Sequence, residues 1–198
     1  VIMYEKYVKR ILDIVIALIC LPIVAVVVLI CGIKIYGEDH GKIFYIANRL
    51  GKNGKVFPMY KLRTMKENAE DIRNEDGSTF NAEEDERLTK TGRFLRKTSI
   101  DELPQILNVL KGDMSFVGPR PDLPEHEQMY TDEERVKLDV KPGITGYSQA
   151  FFRNSIVWKN RLENDVFYVK NCSFKMDVHI IKGTIHLLIK KEGVYIQK

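Results

Sequence analysis

The apolar positions of this chain fall into four patterns that predict different elements. Residues 14–33, IVIALICLPIVAVVVLICGI, are uncharged and almost wholly apolar, roughly the twenty residues that a membrane helix requires. Two shorter runs between residues 43 and 65, rich in aromatic and branched residues, flank Asn53-Gly54 and predict a β-hairpin, with Pro58 confining its strand to an edge. Leu103, Ile106, Leu107 and Leu110 recur at helical spacing. Pro104 is tolerated only in a first turn and Gly112 suits the position past a helix end, so a short helix should begin near residues 99–101. Finally Phe174, Val178, Ile181, Ile185 and Leu188 form one stripe, with Lys175, Lys182, Lys190 and Lys191 around it. A basic amphipathic helix of this kind lies in a membrane interface or packs its stripe on a domain core.

Several features argue against reading the long apolar run as a plain crossing. Asp13 stands at its edge and Pro22 near its middle, where a helix loses a backbone hydrogen bond and bends. Lys6, Lys9 and Arg10 precede it, and Lys34, Lys42, Arg49, Lys52, Lys55 and Lys61 follow it, so the positive-inside rule draws both flanks to the cytoplasm. No small-residue cleavage site follows, which argues against a removable signal peptide. A helix that enters one leaflet, bends at Leu21-Pro22 and returns satisfies both flanks; a simple span remains the alternative. The expected division is a re-entrant membrane helix hairpin over residues 3–36 and a cytoplasmic, membrane-associated catalytic domain over residues 37–198, with Met3 the expected native start. The expected class is α+β: a small helix-rich domain with a short β-hairpin, one Pro-kinked re-entrant helix and interfacial amphipathic helices.

The polar intervals are less specific. Residues 66–86 are acidic, the first part suited to a short exposed helix and the part around Asp76-Gly77-Ser78 to a loop. Arg87, Thr89, Gly92, Arg93, Arg96 and Lys97 form either a basic approach to a phosphate or the solvated face of a helix. Lys61 and Arg63 alternate with Leu62 and would share a strand face, toward a phosphate donor or toward anionic headgroups. Residues 122–140 read as charged helix, in which His126 between Glu125 and Glu127 is better placed on the surface than as a metal ligand. The glycines of Lys141-Pro-Gly-Ile-Thr-Gly146 would let backbone approach a ligand closely.

Composition changes little in this picture. With 198 residues, 44% hydrophobic and 29% charged, the chain suffices for one ordinary domain. Cys20, Cys31 and Cys172 have no metal-ligand spacing and read as reduced packing residues. The net charge of +4 suits an anionic membrane surface, and no motif supports nucleic acid as a partner.

The candidate chemistry lies in residues 98–121, TSIDELPQILNVLKGDMSFVGPRP. Asp101 and Glu102 are adjacent carboxylates at a helix start, where the dipole favours negative charge, either as caps or as a catalytic pair. Ser99 with Glu102 would make a capping box. In Gly118-Pro-Arg-Pro121 two prolines restrict the backbone around Arg120, whose guanidinium is then either a bidentate phosphate grip or a solvated arginine in an ordinary turn. A phosphate beside two carboxylates calls for a hard cation with oxygen ligands, most simply Mg²⁺ held by Asp101 and Glu102.

These blocks resemble the bacterial sugar transferase family, the monotopic phosphoglycosyl transferases. The likeness runs through Lys9-Arg10, Asp13, Leu21-Pro22, Arg49-x-Gly-x-x-Gly54, Tyr60-Lys-Leu-Arg-Thr-Met65, Asp85-x-Arg87-x-Thr89, Arg96, Ser99-x-Asp-Glu-Leu-Pro-Gln105, Gly112-Asp-Met-Ser115, Gly118-Pro-Arg-Pro121 and Lys141 to Gly146. It implies transfer of a sugar 1-phosphate from a UDP-sugar to undecaprenyl phosphate, with release of UMP, using Mg²⁺, at the cytoplasmic face of the bacterial inner membrane. Asp101 would be the nucleophile, forming an aspartyl-phosphosugar intermediate, with Glu102 assisting it or binding the metal. Phosphate or donor contacts would come from Arg120, Lys61, Arg63, Arg87, Arg96 and Arg153. The single membrane segment is similar to that of minimal members that begin protein N-glycosylation from UDP-N,N'-diacetylbacillosamine. Phe152 departs from the glycine that many relatives place before Arg153-Asn154, so a donor cannot be carried across. A membrane-bound UDP-sugar hydrolase and a non-catalytic membrane-surface protein remain the rival classes.

Overall fold

The computed structural model describes residues 3–72, 80, 82, 85–152 and 156–190. A π-helical turn at Tyr4–Val8 leads into α1, Lys9–Asp39. Helical structure continues through Leu21 and Pro22 and ends three residues beyond the expected boundary at residue 36. One line of α1 packs on the rest of the chain. Ala17 joins Ala47, Phe57, Met59, Ile106, Val109 and Met114 in one core, while Cys31 and Ile35 join Leu62 and Leu95 in another. The opposite side, including Ile19, Ile23, Leu29 and Ile33, is exposed and apolar.

The predicted hairpin is present. β1, Phe44–Leu50, pairs antiparallel with β2, Val56–Leu62, in a register that sets Asn48 opposite Pro58. The connection needs positive φ at Asn53 (58°) and Gly54 (73°), which is why Asn-Gly stands there. On the other side of β2 the Asn108 side chain acts as a third strand in miniature. Its Oδ1 accepts from the Tyr60 N–H at 3.1 Å, and its Nδ2 donates to the Pro58 carbonyl at 2.7 Å. Asn108 is wholly buried, so these bonds satisfy an edge and an amide that would otherwise lack partners.

α2, Lys90–Thr98, starts with Thr89 as cap, its hydroxyl accepting from the Gly92 N–H. Glu38, at the end of α1, accepts from the Lys90 and Thr91 N–H groups, so the C-terminal end of α1 also caps α2. The predicted short helix is split into a 3₁₀ turn, Ile100–Gln105, and α3, Ile106–Lys111. Leu107 is exposed, and Ile106 and Val109 are buried instead.

β3, Ser115–Val117, pairs in parallel with β4, Gly143–Thr145. A Cβ on Gly118 would lie 2.4 Å from the Lys141 carbonyl, and one on Gly143 would lie 2.1 Å from the Gly118 nitrogen. The glycines of residues 141–146 therefore admit the neighbouring strand, not a ligand as the bare sequence suggests.

Residues 122–140 are not one helix. They form a 3₁₀ turn at Pro124–Met129, α4 at Asp132–Arg135 and a second 3₁₀ turn at Val136–Asp139. His126 is buried against the Trp158 ring at 4.7 Å, so its surface assignment is corrected. Residues 66–72 are turn and irregular structure, without the expected helix, and the loop around Asp76 lies outside the described residues.

α5, Tyr147–Phe151, α6, Trp158–Lys170, and α7, Phe174–Lys190, complete the fold. In α7 the buried residues are Asp177 and Ile180, whereas Phe174, Ile181, Ile185 and Leu188 of the predicted stripe are exposed. The apolar stripe thus faces away from the domain.

Candidate active site

Ser99 initiates the site, though not as the expected capping box. Its φ of 57° closes α2 as a left-handed C-cap, and no side-chain cap bond forms. The chain reverses there, and the following 3₁₀ turn delivers Asp101 and Glu102 against β2. Lys61 on β2 meets them, its Nζ donating to Glu102 Oε1 at 2.7 Å. The Pro104 ring and Gln105 are buried beneath the turn, which fixes its depth.

The two carboxylates are driven apart in proton affinity. Asp101 is only 8% exposed, and among the described residues its carboxylate has no side-chain hydrogen bond. Burial, reinforced by the Glu102 charge and opposed by Lys61 and Arg96, pushes Asp101 up to about 6. Burial acts on Glu102 in the same sense, but Lys61 and then Arg120 outweigh it and hold that carboxyl below its ordinary value. Two adjacent acids with opposed shifts are a common sign of divided roles.

Arg120 is exposed, and its guanidinium has no hydrogen-bond partner among the described residues. Its backbone, by contrast, is gripped: the Arg120 carbonyl accepts from Lys137 Nζ at 3.2 Å. Lys137 also donates to Asp122 at 2.6 Å and to Asp165 at 2.8 Å, while Asp122 accepts from the Tyr130 hydroxyl and the Trp158 indole. The two prolines are only part of what holds the turn. Sequence inspection missed this network because its members are far apart in the chain and look like ordinary surface charges.

The remaining basic residues separate. Arg96 donates to Thr64 Oγ1 at 3.0 Å and its charge acts on Asp101, so it belongs with Lys61 and Arg120. The Arg63 guanidinium is occupied by both Asp39 oxygens and by the Lys42 and Met65 carbonyls, tying β2 to the end of α1. Arg87 is held by Asp85 at 2.6 Å and by the Glu70 carbonyl. Arg153 lies outside the described residues. Asp101 and Glu102 fit a hard divalent cation in donor type, and among the described residues no third His, Cys, Asp or Glu completes a ligand group. Substrate phosphates and water would supply the rest, the usual pattern for Mg²⁺.

The chain is similar to known proteins over almost its whole length. Residues 4–191 match the family described as Bacterial sugar transferase. It is 42% identical over 186 residues to the uncharacterized sugar transferase EpsL of Bacillus subtilis, covering 94% of this chain and 89% of that one. It is 37% identical to the undecaprenyl-phosphate galactose phosphotransferase of Salmonella typhimurium, covering 96% of this chain and 42% of that one. The UDP-N-acetylgalactosamine-undecaprenyl-phosphate N-acetylgalactosaminephosphotransferase of Aeromonas hydrophila is 35% identical, covering 94% of this chain and 45% of that one. The chain thus spans under half the length of these last two relatives. The paired carboxylates, the cations around them and this extent of likeness lead to one statement: the chain belongs to the bacterial sugar transferase family and is a transferase.

Proposed function

We propose that this protein moves a sugar 1-phosphate from a UDP-sugar to undecaprenyl phosphate through a covalent intermediate on Asp101. The observation that carries the reading is a buried carboxylate that has no side-chain hydrogen bond among the described residues, with Lys61, Arg96 and Arg120 acting on the pair it forms with Glu102. In the first step Asp101 attacks the β-phosphorus, the bond from that phosphorus to the bridging oxygen breaks, and UMP leaves. In the second an oxygen of undecaprenyl phosphate attacks the same phosphorus and frees Asp101. Two moderate barriers replace one high barrier. Arg120 and Lys61 would offset charge on the phosphoryl oxygens as they develop it. Mg²⁺, held by Asp101 and Glu102, would neutralise the phosphates. The relatives' names contain galactose and N-acetylgalactosamine, so the donor panel should include those UDP-sugars beside UDP-N,N'-diacetylbacillosamine.

The membrane placement that fits this chemistry is monotopic, at the inner membrane with the site on its cytoplasmic face. Both ends of α1 engage the same folded domain. Lys9 binds Asp177 and Asp13 accepts from Ser115 and Phe116 near one end, while Asp39 binds Arg63 at the other. A span would separate its ends by about 30 Å of hydrocarbon. A re-entrant path at Leu21-Pro22 and the outward apolar stripe of α7 keep one side of the domain on the bilayer. The deciding measurement is UMP release across the donor panel with undecaprenyl phosphate and Mg²⁺, joined to trapping of labelled phosphosugar on Asp101. UMP release that ignores the acceptor would point to a hydrolase, and absence of any release would remove the enzymatic reading.

A further inference from the structure

A second basic site lies outside the catalytic centre. A cavity of about 190 Å³ opens beside the first turns of α1, and it shares no lining residue with the Asp101 and Glu102 pair. Five cations border it: Lys6, Lys9, Arg10, Lys52 and Lys141. Some are already matched. Lys52 pairs with Glu5 at 3.0 Å, and Lys9 pairs with Asp177. Asp13, the other acid on the wall, accepts from the Ser115 hydroxyl and the Phe116 N–H.

That leaves an excess of positive charge. Arg10 donates to the Val109 and Leu110 carbonyls, which use its hydrogen bonds without cancelling its charge. Lys141 is half-buried, and among the described residues its ammonium has no hydrogen-bond or ion-pair partner. Burial first, then the Arg10 charge, pushes the Lys141 ammonium below its ordinary value. Lys6 is exposed at the rim and is likewise without an acid. An ammonium held this way is stabilised most by an anion that accepts several charged hydrogen bonds at once.

We infer that this cavity is a binding site for a phosphate group, gripped by Lys141 with Lys6 and supported by the charge of Arg10. The position favours an organophosphate at the membrane surface, because the wall is formed by the residues that lead directly into the exposed apolar helix, where anionic headgroups lie. A free phosphate offers the same chemistry. The inference does not rest on the proposed reaction, since neither Asp101 nor Glu102 takes part.

The test uses the full chain in neutral maltoside micelles, with thermal unfolding followed during titration by dioctanoyl phosphatidic acid, by inorganic phosphate and by dioctanoyl phosphatidylcholine as control. Wild type should be stabilised saturably by phosphatidic acid. Lys141→Ala should raise the half-saturating concentration roughly tenfold, as expected for loss of one charge-assisted contact, Lys141→Arg should retain most of the response, and Lys6→Ala should weaken it less. A Lys141-dependent response to inorganic phosphate alone also supports the site and assigns it to a soluble anion. Equal responses of wild type, Lys141→Ala and Lys6→Ala, or no response of wild type to either phosphate, overturn the inference. Lys6→Ala alters an exposed side chain, so the test survives if Lys141→Ala fails to fold.

Discussion

Two places in this molecule set a lysine between two aspartate or glutamate carboxylates, and they have opposite characters. Around Lys137 the charges are sealed: the ammonium binds Asp122, Asp165 and the Arg120 carbonyl, and Tyr130 and Trp158 complete Asp122. Around Lys61 they are not. Among the described residues Lys61 binds Glu102 alone and Asp101 is left without a side-chain donor, and the exposed Arg120 acts on Glu102. Proton affinity by itself does not separate the two, because burial pushes Asp165 up to about 6 just as it does Asp101. What separates them is access. Asp165 is 1% exposed inside a network that positions a turn, whereas the Arg120 guanidinium, which acts on Glu102, is exposed and among the described residues has no hydrogen-bond partner.

The largest effect should follow from Asp101→Asn. Loss of the proposed nucleophile should lower UMP formation by at least about a thousandfold, while the protein becomes more stable. The sign follows from the proton balance. Folding raises the Asp101 pKa from 3.8 to about 6, so the ionised carboxylate costs stability increasingly as pH rises through that window and fully above it. At pH 8 the substitution should therefore raise Tm by several degrees, representing as much as ~3 kcal/mol, and below pH 4 it should change little. A destabilised Asp101→Asn would show that the ionised carboxylate does not cost the fold stability, and undiminished UMP formation would remove the distinction between the two sites.

Lys137→Met should do the reverse. It leaves two buried acids uncompensated, and urea unfolding should show a loss of about 3–5 kcal/mol. A stable Lys137→Met protein with unchanged turnover would mean that the network neither supports the fold nor holds the Arg120 turn.

Arg120→Ala should reduce kcat/KM by about 10²–10³ without altering Tm by more than a degree or two, as for other donors aimed at developing charge. Arg120→Lys should recover only part of this, since an ammonium lacks the bidentate fork.

The smallest effect sharpens the electrostatics. In the proposed mechanism Asp101 acts ionised, so kcat/KM should rise with pH through about 6. Glu102→Gln removes a neighbouring negative charge and should move that limb downward by several tenths of a pH unit, measurable in residual activity. An upward movement would show that Glu102 does not raise the Asp101 pKa.

Much of the site was legible because its parts are contiguous. Asp101 and Glu102 adjoin in the chain, and the prolines around Arg120 announce a stiff turn. The hairpin at Asn53-Gly54 was legible for a similar reason, since left-handed backbone strongly restricts residue choice. Arg63 and Lys61 looked equivalent from alternation, yet one is consumed by Asp39 and the other meets Glu102.

By itself the sequence determined the long apolar run, the hairpin, the acidic pair, the arginine turn and the family. Each depends on residues close in the chain or on a local backbone constraint. Only the tertiary structure decided that Ser99 closes one helix in a left-handed conformation and opens the next turn without a side-chain cap, that the glycines of residues 141–146 admit a strand, that the α7 stripe faces outward, and that Lys137, tied to Asp165, holds Arg120. Those outcomes depend on which distant groups burial brings together, and a charge takes its meaning from the partner it finds there.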